Sequence, residues 1–114
     1  MTAFIPLFQA LFRVSAVDMS ASYYFEDGYW NGNVWMSHQW FVWKTMLDNG
    51  DGDFAFEIAN RALEMWKDET DFTYNTYECF GIQTKRGGWF HNFGGLSAPI
   101  CFWADAYYRP GTVT

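Results

Sequence analysis

A lone carboxylate, Glu78, sits between Tyr77 and Cys79 in the stretch YNTYECFGIQTKRGGWFHNF, residues 74 to 93. Trp89 and His91 follow it across a glycine-rich, basic turn. The stretch is too polar and glycine-punctuated for a core helix and too aromatic for an ordinary surface loop. Loops that combine many rings with one acid face a ligand. The chemistry such a group offers is activation of water as a general base at a sugar pocket. The bland reading is a solvated loop acid, or a salt bridge to Lys85 or Arg86; its crowding by Tyr74, Tyr77 and Phe80 argues against that.

A second constellation lies upstream, YWNGNVW at residues 29 to 35. Rings stack on the C–H faces of pyranoses, and Asn31, Asn33 and Gln39 supply directional hydrogen bonds. Tyr29, Trp30, Trp35, Trp89 and Phe90 therefore read either as packing or as sugar platforms. Glycine lets backbone approach a ligand, which tilts Trp30 and Trp89 towards a cleft. Other chemistries fail on spacing. DNGDGDF lacks the glycine and glutamate places of a calcium loop. His38 and His91 have no paired ligand spacing, so no metal is expected, and His38 reads as a satisfied polar residue on a buried helix. Neither a G-x-S-x-G elbow nor a phosphate-cradling glycine loop is present. No cofactor is implied.

These groups need elements to hold them. Residues 4 to 17 (FIPLFQALFRVSAV) suit a buried helix with Pro6 in its first turn. A polar loop over 18 to 28 leads to the Asn-Gly-Asn turn, where Asn33 can cap the next helix. That helix, 34 to 47, is apolar nearly all round and so an inner one. The turn DNGDGD, 48 to 53, offers Asp53 as the next cap. Residues 54 to 68 gather Glu57, Asn60, Arg61, Glu64 and Lys67 on one face, with Glu57 and Arg61 paired, which makes an outer helix. An inner helix joined to an outer one is an αα-hairpin. A long loop over about 70 to 95 precedes a last inner helix, 97 to 108, with Ser97 as cap and Pro99 in the first turn. The expected class is all-α.

Composition narrows the partners. The 114 residues are half hydrophobic and 23% aromatic, with seven tryptophans, more large rings than a small core needs. Either a broad aromatic binding surface or a fragment awaiting packing partners accounts for them. A formal charge of −6 argues against nucleic acid. No run of about 18 apolar residues exists to span a membrane. The apolar start lacks a basic region and is broken by Gln9, so no secretory signal is expected. Cys79 and Cys101, without metal spacing, are expected to stay free and slightly favour a cytoplasmic, reducing setting without fixing it.

FIPLF near the start, YWNGNVW, then YECFG with GGWFHNF, in that order, resemble the C-terminal part of family 63-type glycoside hydrolases. The mannosylglycerate-hydrolase-like members, and more distantly the trehalases, share this layout. The resemblance implies inner and outer helical hairpins from the C-terminal portion of an (α/α)6 toroid. Residues 1 to 114 would then form one partial catalytic domain, with no second domain, packing on a missing N-terminal part. It implies inverting hydrolysis of an oligosaccharide or other glycoside, with Glu78 as general base. Trp30, Asn31, Trp35, Tyr77, Trp89 and His91 would shape the subsite. Relatives commonly read YWRGPVW, whereas Asn31 and Asn33 stand here, which removes a cationic fork. No segment matches the family's general acid, so the chain alone is expected to be nearly inert. The rival readings are a non-catalytic carbohydrate-binding module and an inactive fragment.

Overall fold

The computed structural model describes residues 15–25, 28–92 and 94–109. Among these residues three helices, α1 (Met36–Asp48), α2 (Gly52–Thr73) and α3 (Gly94–Tyr108), carry two short strands between the second and third, β1 (Tyr77–Phe80) and β2 (Gly87–His91). The strands pair antiparallel. The all-α expectation is therefore corrected: the stretch taken as a long loop is the last turn of α2 followed by a β-hairpin. Four- and five-residue strands are too short to print a period, and the aromatic residues of YECF and GGWFH suit a pleated, half-buried surface.

A third segment joins the hairpin. Val34 and Phe80 exchange backbone hydrogen bonds of 2.7 and 2.9 Å, and Ser15 bridges Val34 from the other side. The YWNGNVW turn is thus stitched to the outer edge of β1. Of the helix expected over 4 to 17, residues 4 to 14 lie outside the described residues. Residues 15 to 17 are not helical, because Ser15 and Ala16 pair instead with Val34 and with the Asn33 carbonyl.

The helix ends differ from expectation for local reasons. Trp35 occupies the N-cap of α1 without a side-chain bond, since Asn33 turns its amide to Cys79 Sγ at 3.2 Å. Asp51, not Asp53, caps α2 by accepting from the Phe54 N–H at 3.1 Å. Arg61 turns to Glu64 at 3.4 Å rather than to Glu57. Ser97 lies inside α3, buried, and accepts from Trp66 Nε1 at 3.2 Å.

The core forms where α2 lays Ala55, Ile58, Ala59, Ala62 and Met65 against Trp43 of α1, Phe80 of β1 and Ile100 and Trp103 of α3. The opposite face of α2 is solvated, as its charge pattern predicts. Neither α1 nor α3 is buried all round. Among the described residues nothing covers the outward sides of Phe41 (67% exposed) and Phe102 (51%), which line an apolar groove of about 430 Å³ with Trp40 and Pro99.

The two thiols meet different surroundings. Cys79 is buried in β1 and Cys101 is exposed on α3, and neither forms a disulfide. Burial pushes the Cys79 thiol up to about 11, partly opposed by the Asn33 amide. A thiol held protonated and out of reach does not alkylate. Maleimide at pH 7.5 should therefore modify one cysteine in the folded protein, Cys101, and both in denaturant. Equal labelling of Cys79 under native conditions would mean that β1 opens readily.

Candidate active site

Glu78 is 4% exposed and sits where the hairpin departs from regular pairing. Cys79 faces Gly88 and Tyr77 faces His91, so Trp89 and Phe90 together oppose Glu78 in a β-bulge. Trp89 holds the left-handed conformation, φ 66°. Glycine is usual at that place in a bulge, and a side chain there costs about 1–2 kcal/mol. Bulges of this kind re-aim side chains next to functional groups. Here the bulge points the Phe90 N–H at Glu78 Oε2, 3.4 Å away, and swings Trp89 onto Tyr29 with ring centroids 4.7 Å apart.

Tyr29 is the hub. Its hydroxyl donates to Glu78 Oε1. Its ring meets Trp30 at 5.0 Å and Trp35 at 4.7 Å, both edge-on, and its carbonyl accepts from Trp35 Nε1 at 2.7 Å. The hydroxyl's hydrogen bond to Glu78, with burial and the Glu78 charge adding to it, pushes the phenol up to about 12. Tyr29 therefore stays a donor throughout the neutral range. Trp30 stacks on buried Trp35 at 4.2 Å with planes 8° apart, and is itself 59% exposed. One face of Trp30 is covered and the other is left to solvent. Trp89 and Phe90 are exposed beside it.

The structure thus gathers Glu78, Trp30, Trp35 and Trp89 around Tyr29. Other candidates lie elsewhere. Asn31 turns its amide to the Tyr23 carbonyl at 2.8 Å and braces the turn. Tyr77 packs against the core and closes over Gly87, where a Cβ would collide with its ring. His91 is exposed at the end of β2, where it pairs across the hairpin with Tyr77. His38, tilted 6.4 Å from Trp30, keeps a buried Nδ1 that meets no hydrogen-bond partner among the described residues, so the expectation of a satisfied histidine is not met there at that atom. Burial holds its imidazole below the ordinary value, which leaves the ring neutral at pH 7.

Two features escaped the sequence reading. One is the Tyr29 hydroxyl, since the residue's ring drew attention and its partner is 49 positions away. The other is Glu69 in the last turns of α2. Its buried carboxylate receives Arg86 Nε at 2.9 Å, Arg86 Nη2 at 3.2 Å and the Gly87 N–H at 2.5 Å. Arg86 is thus engaged by Glu69, not by Glu78. Among the described residues no cluster of three or more metal-ligating side chains exists, and no helix is long and apolar enough to cross a membrane.

Glu78 is thus a buried carboxylate held by a phenol whose ring is edged by three tryptophans. The family model of the mannosylglycerate hydrolase MGH1-like glycoside hydrolase domain matches residues 5–90, and the chain belongs to that family. The matched region contains YWNGNVW, Glu78, Trp89 and Phe90 and stops one residue short of His91. A general glycosidase role follows at the level of the family. No curated protein and no solved structure matches the chain.

Proposed function

We propose that the chain supplies the water-activating half of an inverting glycoside hydrolase site, with Glu78 as general base. The observation that carries this reading is the setting of Glu78, a carboxylate shielded from bulk water and hydrogen-bonded to Tyr29, whose ring meets the exposed rings of Trp30 and Trp89. Those rings stack on the apolar face of a sugar and bring its anomeric carbon towards the carboxylate. In an inverting reaction Glu78 takes a proton from water on one face of the sugar. A protonated carboxylic acid on the other face gives its proton to the leaving oxygen, the two carboxyls standing about 6.5–9.5 Å apart.

That second acid belongs to a part of the catalytic domain beyond the described residues. The uncovered apolar sides of α1 and α3 are the surface on which the remainder of the domain would pack. Asn31 and Asn33 stand where relatives carry arginine and proline. Mannosylglycerate, named in the family's description, and a neutral disaccharide such as trehalose are therefore the two substrates to compare.

Stereochemistry tests the mechanism directly. Proton NMR of the first sugar released by the full-length chain should display the anomer opposite to that of the substrate. Release of the retained anomer would make Glu78 a nucleophile or a bystander, and would overturn the general-base reading. A carbohydrate-binding module without activity is the second reading, favoured by the open face of Trp30; binding of either sugar with no hydrolysis would select it.

A further inference from the structure

Resting on the reading of Glu78 as general base, we infer that Tyr29 is the positioning residue that orients that carboxylate for attack by water. The last torsion of a glutamate side chain is broad, so burial alone does not fix the plane of its oxygens. Misplacing a reacting group by about 1 Å can cost on the order of 10²-fold in rate. Something must set the plane, and the described residues offer two groups in contact with it.

Phe90 offers its N–H to Oε2 from 3.4 Å, too far to hold it firmly. Tyr29 does the holding, through its hydroxyl on Oε1. The phenol itself has little freedom. Trp30, Trp35 and Trp89 contact its ring edge-on or steeply inclined, with centroids 4.7 to 5.0 Å away. Its backbone is fixed by the Trp35 indole N–H and by the pairing of Val34 with Phe80. The aromatic cage therefore does a second job besides offering a platform. It aims one hydroxyl group.

This assignment divides the carboxylate. Oε1 is occupied by the phenol, and Oε2 keeps lone pairs for water. In the reaction a water O–H bond breaks and its proton goes to Glu78 Oε2. The water oxygen forms the new bond to the anomeric carbon as the bond to the leaving oxygen breaks. The leaving oxygen takes a proton from the protonated carboxylic acid supplied elsewhere in the domain. Tyr29 gives up no proton in this sequence and touches no reacting atom, since its hydroxyl stays a donor to Oε1 throughout.

The test is a double-mutant cycle in the full-length chain, with mannosylglycerate and trehalose as probes and sugar release as readout. Tyr29→Phe retains the ring and every contact it makes, and removes only the hydroxyl. We expect it to lower kcat about tenfold with KM within about twofold. Adding it to Glu78→Gln should cost nothing further, because the group that it orients is already disabled. Unchanged kcat in Tyr29→Phe beside a collapsed Glu78→Gln would overturn the positioning role and leave the base in place. A raised KM with kcat kept, or losses that multiply in the double variant, would overturn it too. Full turnover in Glu78→Gln, or no hydrolysis of either probe by the unaltered enzyme with its whole catalytic domain present, would remove the base reading and this inference with it.

Discussion

Glu78→Gln should lower turnover of the full-length chain by about 10²-fold or more, while the dissociation constant for the sugar moves by less than about threefold. The substitution is close to isosteric. The amide oxygen can still accept from the Tyr29 hydroxyl, so the stack of Trp30 on Trp35 and the edge contact of Trp89 keep their support. Sugar contacts to rings do not depend on the charge of the acid. Proton acceptance does, and an amide cannot perform it. A change confined to kcat is the signature of a group used only in the transition state. Initial rates against substrate concentration, with calorimetric titration of the same sugar, separate the two quantities. Unchanged turnover would take Glu78 out of the mechanism. A parallel fall in affinity would recast it as a binding group.

The helices were legible in the sequence because each carries a long signal. Thirteen to 22 residues give enough turns for one polar face to stand out, as on α2, or for apolar residues to recur nearly all round, as on α1 and α3, although neither of those two is buried on every side. Ends were less legible, since caps are decided by competition between neighbouring donors and acceptors. Asn33 was free to cap α1 by its type and was drawn off by Cys79 Sγ. The β-hairpin was invisible for a different reason. Its strands are short, its Lys85 and Trp89 adopt the left-handed conformation without being glycine, and its pairing with Val34 joins residues 46 positions apart. Non-local pairing of this kind leaves no periodic trace.

The candidate site divides in the same way. Glu78, Trp30, Trp35 and Trp89 could be named from residue type and from the order of the two motifs. What joins them could not. Val34 stitched to Phe80 brings YWNGNVW onto YECFG, and the bulge opposite Glu78 brings Trp89 and Phe90 round to it. The role of Tyr29 depends on where one hydroxyl points, which no pattern of ring residues records. Asn31 and His91 illustrate the converse: types suited to sugar binding, used by the turn or left at the strand end.

Glu69 is the acid whose loss should most weaken the scaffold. Its side chain is 1% exposed, and both its oxygens are taken up by the Arg86 fork and the Gly87 N–H. Those contacts tie the end of α2 to the first residue of β2, and so fix the strand on which Trp89 is displayed. Glu69→Gln should destabilise the protein by about 2–3 kcal/mol, less than for breaking a fully buried pair, because Arg86 remains 56% exposed and can be solvated. The pH dependence carries its own sign. Burial pushes the Glu69 carboxyl up, but the Arg86 guanidinium, the Gly87 N–H and the Thr73 hydroxyl outweigh it and hold the group below its ordinary value. A carboxyl lowered on folding contributes stability that is fully present above its unfolded value, about 4.3, and is lost as pH falls through the folded value. Urea midpoints measured at pH 7 and at pH 3 should therefore differ between the two proteins at pH 7, with a smaller gap at pH 3. A gap of the same size at both values would mean that Glu69 contributes by packing alone, and that the charge on Arg86 has no part in holding the hairpin to α2.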